Sequence, residues 1–206
     1  MEIIKLYEKN NKEETIQRIV TALQNNAVII YPTDTMYAVG CSIKSVSGVN
    51  RICEIKKVKA SKNRFAFICP NLSDISHFAK VSNYAFKILK RFLPGPYTFI
   101  LPASSEVPNI LVQGKKTVGV RIPNYQPILT IVDQLGLPIL TTTLPFEGID
   151  VEYFTDPELI AEKYGHQVDL LLDGGIGGIE PSSVVEILEE DCEVIREGSG
   201  DCSEFY

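Results

Sequence analysis

The chain has 206 residues, 45% of them apolar, which fits one domain over residues 1–206 with a substantial core. No apolar run approaches the ~20 residues that span a bilayer, and Met1-Glu2-Ile3-Ile4-Lys5 lacks the pattern of a signal peptide, so a cytoplasmic protein is expected. The net charge of −6 is unevenly spread: residues 1–125 carry 18 Lys and Arg against 8 Asp and Glu, residues 126–206 carry 2 against 18, and such a split implies an electric dipole with a basic surface.

Residues 3–7 read as a short strand. Asn11 offers an N-cap to a helix with Glu13 and Glu14 in its first turn and Ile16, Ile19, Val20 and Leu23 at helical spacing. The run 27–31 is apolar on both faces, the mark of a buried central strand, and stops at Pro32. Val46, Val49, Ile52, Cys53 and Ile55 predict a second helix. A strand over 65–69, a short helix over 75–79 and a longer one over 84–93 follow, the last stopped by Pro94-Gly95-Pro96. Strands are predicted over 97–101, 117–122 and 138–142, with a helix over about 126–135 before the third. Residues 144–155 read as a long loop. Asp156 caps a helix to 164, and strands over 168–172, 184–188 and 193–196 close the chain. Helices alternate with strands, yet hairpin-like pairs appear late, which favours an α/β fold with a mixed sheet.

Two hydroxyls and a carboxylate, Thr33, Asp34 and Thr35, stand at the carboxyl end of the first buried strand, where open α/β sheets bind ligands. They suit a carboxylate, a phosphate or an ammonium; an ordinary capped turn is the other reading. Lys56, Lys57, Lys59, Lys62 and Arg64 crowd into nine residues without an acid. Such cations are either a solvated helix end or a seat for phosphate, in a nucleotide or in RNA. Arg121 interrupts an apolar strand near its end, where a guanidinium pairs with an acid or grips an oxyanion. Thr141, Thr142 and Thr143 end another strand. Residues 174–178, rich in glycine, lack the Gly-Lys-Ser/Thr of a P-loop and read as a flexible turn. Five cysteines without a Cys-x-x-Cys, and only His77 and His166, offer no metal-ligand spacing and no nucleophilic triad. Any catalysis would rest on positioning and charge stabilisation.

Six motifs in order resemble the YrdC/YciO family: Tyr-Pro-Thr-Asp-Thr with Tyr37 and Gly40; the helix over 52–56; Pro94-Gly95-Pro96-Tyr97-Thr98; Val120-Arg121-Ile122-Pro123; Pro181-Ser182-Ser183-Val184-Val185; and Arg196-Glu197-Gly198. The resemblance spans about residues 12–200 and implies a twisted open mixed sheet with helices on its faces and a concave basic cavity. Its best-known members are threonylcarbamoyl-AMP synthases, which join threonine, bicarbonate and ATP, with Mg²⁺, and start the t6A modification of tRNA; members also bind double-stranded RNA. It further implies that Thr33, with Thr35 and Tyr37, faces threonine. Lys56, Arg121 and Thr143 would meet phosphates, and Ser182 and Arg196 the nucleotide. Two positions depart from the synthases. Val58 stands where they carry the Arg of Lys-x-Arg, and Pro145 where they carry the Asn of Ser-x-Asn. Lys57 or Lys62 would substitute for that Arg only in part. These departures resemble the YciO branch and imply an RNA- or adenine-nucleotide-binding protein linked to tRNA or rRNA metabolism, with Lys57, Lys59, Lys62 and Arg64 on RNA. An active L-threonylcarbamoyladenylate synthase is the alternative.

Overall fold

The computed structural model describes residues 1–58, 65–108 and 116–206. Its ten strands are β1 (Glu2–Lys5), β2 (Val28–Tyr31), β3 (Ala38–Ser42), β4 (Ala66–Ile68), β5 (Tyr97–Pro102), β6 (Thr117–Arg121), β7 (Ile139–Thr143), β8 (Leu170–Asp173), β9 (Ser183–Ile187) and β10 (Cys192–Arg196). They form one mixed sheet in the order β1-β8-β2-β3-β7-β4-β6-β5-β9-β10. The described helices are α1 (Glu13–Gln24), α2 (Val46–Lys56), α3 (Leu72–Phe78), α4 (Asn83–Phe92), α5 (Gln126–Leu135), α6 (Glu152–Thr155) and α7 (Pro157–Tyr164). No described helix is long and apolar enough to cross a membrane.

Strand alternation divides the core in two. Val28, Ile30, Val39 and Phe67 face a layer built from α2, α3, α4 and α7, which contribute Val49, Ile52, Ile75, Leu89 and Ile160. Ile29, Tyr31, Ile68, Ile139 and Leu172 point the other way, under α1 and α5, through Ile16, Ile19, Val20, Ile128 and Ile131. α1 and α5 cover that second face over β1, β8 and β2. Towards β10 the same face is concave.

Local chemistry explains most boundaries. Ser45, Asn71, Ser82 and Asp156 each accept a hydrogen bond from a backbone N–H in the first turn of α2, α3, α4 and α7. α5 ends at Gly136 in the left-handed region. Asn11 does not cap α1: its amide closes a turn on Tyr7, accepting from the backbone N–H at 2.9 Å and donating to the carbonyl at 2.5 Å. Lys12 takes the N-cap position without a side-chain bond. The stretch read as a loop over 144–155 holds the short helix α6. β3 is a strand that apolar periodicity does not announce, because Ala-Val-Gly-Cys-Ser is buried on both faces with small residues.

Residues 174–178 are not a turn between adjacent strands. β8 lies between β1 and β2, whereas β9 lies between β5 and β10, so this segment starts a crossing of the sheet. On the way it is pinned to the segment after β2. The Gly178 N–H donates to the Thr35 carbonyl and the Gly177 N–H to the Thr155 carbonyl, both at 2.9 Å. A Cβ on Gly178 would collide with that Thr35 carbonyl oxygen, so glycine is required by close approach.

Candidate nucleotide-binding cavity

The concave half of the sheet holds a cavity of about 720 Å³, lined by residues from the seven neighbouring strands β3 to β10. Small side chains make its floor. Ala66 pairs with Thr141 on one side and Gly119 on the other, and Gly119 pairs with Ile100. Thr35, Lys56, Arg121, Thr143, Ser182 and Arg196 all line it. The structure therefore gathers six of the residues singled out by sequence, from both the basic and the acidic parts of the chain.

Arg121 is the best-anchored cation, with 6% of the residue exposed. Its Nη2 donates to Asp34 Oδ1 at 2.5 Å and to Thr35 Oγ1 at 2.7 Å. Asp34 Oδ2 accepts from the Asn124 N–H at 2.8 Å. Asp34 thus holds Arg121 in place and ties the turn after β6. The Arg121 Nε is buried without a hydrogen-bond partner among the described residues. A buried donor of this kind is costly unless something accepts from it.

Lys56 closes the opposite wall from the end of α2, its Nζ donating to the Thr143 carbonyl at 2.9 Å. Burial pulls its pKa below the usual lysine value; Glu147 opposes that shift and Arg196 adds to it. Arg196 donates from Nε and Nη2 to the Ser182 carbonyl at 3.2 and 2.7 Å. Loss of water lowers its pKa too, with repulsion from Arg121 as the second cause. The cations therefore feel one another across the cavity, an arrangement an anion relieves. The Ser182 hydroxyl is 2.9 Å from the Thr98 hydroxyl.

Three of the residues expected at the site are not on the cavity lining. Thr33 does not line the cavity. Its hydroxyl donates to the Met36 carbonyl at 2.8 Å and accepts from the Thr35 N–H at 3.1 Å and from Arg121 Nη2 at 3.4 Å, so it shapes the turn that presents Thr35 and stands directly behind the cavity cation. Tyr37 is fully buried. Its hydroxyl donates to the Gly175 carbonyl at 2.7 Å and accepts from the Gly174 N–H at 3.1 Å, so it clamps the glycine-rich segment. Lys57 is exposed in the left-handed position that ends α2, outside the cavity lining. Lys59, Lys62 and Arg64 lie outside the described residues. The sequence reading missed Thr98, Glu147 and Glu186. Thr98 was legible as the last residue of Pro-Gly-Pro-Tyr-Thr; the two acids carry no local signal.

A family model described as Telomere recombination, for Sua5, YciO and YrdC, matches residues 21–198. The chain belongs to the Sua5/YciO/YrdC family. Within this family it is 39% identical to an uncharacterized Haemophilus influenzae protein and 37% identical to Escherichia coli YciO. Each match runs over 201 residues, 97% of this chain and 97% of the relative. Identity to a threonylcarbamoyl-AMP synthase of Wigglesworthia glossinidia brevipalpis is 29%, over 82% of this chain and 87% of that one. The crystal structure of E. coli YciO matches with a TM-score of 0.91 and 35% identity over 100% of both chains. P. abyssi Sua5 complexed with L-threonine matches with a TM-score of 0.86 and 26% identity, over 99% of this chain and 59% of that one. Fold and relationship to the synthases are thus shown. Identity to YciO exceeds identity to this synthase.

Proposed function

We propose that this chain is a cytoplasmic, single-domain YciO-like protein that binds an adenine nucleotide in the cavity and serves tRNA or rRNA metabolism. The phosphates sit among Lys56, Arg121 and Arg196, with Ser182 and Thr143 beside them. The observation that carries the reading is the buried Arg121 guanidinium, whose Nε has no hydrogen-bond partner among the described residues, on one cavity lining with two further cations whose pKa values are lowered. Charge-assisted bonds from guanidinium to phosphate are the strong kind. Among the described residues no group of three or more His, Cys, Asp or Glu could hold a metal ion. Mg²⁺ would therefore arrive with ATP, coordinated by phosphate and water. Calorimetry with ATP and AMP tests this. Arg196→Met should weaken ATP by about 10-fold or more; absence of heat with either nucleotide rejects the reading.

RNA is the macromolecular partner of the same reading, through exposed Lys57 together with Lys59, Lys62 and Arg64. Binding should weaken steeply with salt, and Lys57→Glu should reduce both affinity and the salt slope. Salt-independent binding sinks this part.

A second reading is an active L-threonylcarbamoyladenylate synthase, converting threonine, bicarbonate and ATP to threonylcarbamoyl-AMP, pyrophosphate and water. It is favoured by Lys56, Thr143, Ser182 and Arg196 lining one cavity. Pyrophosphate should appear only with all three substrates and Mg²⁺, and Val58→Arg with Pro145→Asn should raise the rate. No turnover in either protein rejects it.

A further inference from the structure

One acidic side chain on the cavity lining has no place in phosphate binding. Glu186 lies on β9, and Ser182, Val184 and Glu186 all line the cavity, two residues apart along one face. Four residues of extended chain separate Ser182, at the cationic end, from Glu186, about 13 Å along the strand. Between them Val184 pairs with Thr98, and Ile100 pairs with both Glu186 and Gly119. The stretch joining the two ends is therefore mainly flat and apolar, a surface on which a base and ribose can lie.

Glu186 is half-buried and in salt-bridge contact with no described cation. Its cross-strand neighbour on β10 is Glu193, directly opposite in the register. Like charges directly opposite destabilise a sheet unless a donor or cation meets them. Arg121 and Arg196 thus share one row across the sheet, and two residues along the strands Glu186 presents a carboxylate without a salt-bridge partner among the described residues. The Glu186 carboxylate repels a phosphate placed beside it, and an acceptor-only edge of a ligand is penalised there.

We infer that Glu186 is the specificity-determining residue of the cavity, accepting a hydrogen bond from the exocyclic amine of the bound base. This rests on the nucleotide reading above and adds to it the orientation of the ligand and the chemistry of its far end. The ligand class is a nucleotide whose base bears an amino group, with its phosphate at Arg121 and Arg196. The span from Ser182 to Glu186 is comparable with the reach of a nucleoside monophosphate from phosphorus to that amine.

The test is a ligand-by-residue cycle in calorimetry on the full chain. It compares AMP with purine riboside 5′-monophosphate, which differs by lacking the exocyclic amine. The unaltered protein should prefer AMP by about 10-fold, the usual worth of a hydrogen bond to a charged group. Glu186→Ala should lower AMP affinity to that of the amine-free nucleotide and leave the latter unchanged. Glu186→Gln, which keeps shape and one acceptor oxygen, should fall between. Equal binding of the two nucleotides by the unaltered protein overturns the inference, as does an equal loss of both in Glu186→Ala while its thermal unfolding matches the parent. In either case sensitivity of AMP to Arg196→Met leaves the nucleotide reading standing. Failure of the unaltered protein to bind any nucleotide removes both.

Discussion

Arg121 and Asp34 meet at 2.5 Å with side-chain exposures of 8% and 11%, the most buried ion pair among the described residues. They are 87 positions apart in sequence. Asp34 stands behind the cavity wall, so its charge offsets Arg121 without filling the space that a ligand would take. Removing one partner of a buried pair strands the other charge. Asp34→Ala should therefore destabilise the protein by about 3–5 kcal/mol, seen as a lower urea midpoint at unchanged slope. Asp34→Asn can still accept from the Asn124 N–H, and its loss should be smaller. Equal stability of Asp34→Ala and the parent would show that the pair does not anchor Arg121.

Lys56 sets a pH dependence with a definite sign. Its pKa in the folded protein lies below 10.5, first because of burial. Between that lowered value and 10.5 the unfolded chain binds more protons than the native one, so stability rises with pH across this window. The penalty is fully present below the lowered pKa and vanishes above 10.5. Nucleotide affinity should run the other way and fall as Lys56 loses its proton. Lys56→Met should flatten both trends in paired unfolding and binding titrations. A slope that survives the substitution belongs to another group.

Gly178→Ala tests the joint between the glycine-rich segment and the cavity wall. The new methyl would displace the Thr35 carbonyl, and Thr35 Oγ1 is a partner of Arg121. Destabilisation of roughly 1–3 kcal/mol is expected, together with weaker ATP binding. A variant that loses stability but keeps full affinity would mean that the two segments are not mechanically coupled.

Tyr37→Phe removes the hydroxyl that bridges Gly174 N–H and the Gly175 carbonyl. The cost should be about 1–3 kcal/mol, the penalty for leaving buried partners unmet. Amide exchange at Gly174 should accelerate, while affinity for L-threonine, if the chain binds it, should not change. A selective loss of threonine binding without faster exchange would return Tyr37 to the ligand.

Much of the framework was legible from local chemistry. The apolar run 27–31, the Asp156 cap and the Pro94-Gly95-Pro96 stop each act within a few residues, and β2, α7 and α4 follow them. β3 was not legible, because Gly40 and Ser42 break the apolar pattern in a strand whose neighbours β2 and β7 bury it on both sides. Asn11 misled for a related reason: the same side chain satisfies a helix end or a local turn, and Tyr7 supplied the turn. Tyr37 sits in a recognisable motif, yet nothing in the motif says which way its hydroxyl points.

By itself, then, the sequence offered Lys56 and Arg121 as partners for a phosphate, since residue type and charge are local properties, while Thr143, Ser182 and Arg196 entered only through the resemblance to the family. It also determined the mixed α/β class through the spacing of apolar residues. Only the tertiary structure decided that Asp34 answers Arg121, that Tyr37 clamps Gly174 and Gly175, and that Glu186 joins Ser182 on the cavity lining. The reason is strand order. β9 packs beside β5 and β6 beside β4, and those neighbours are chosen by how the whole sheet buries its two faces, a property no short window of residues contains.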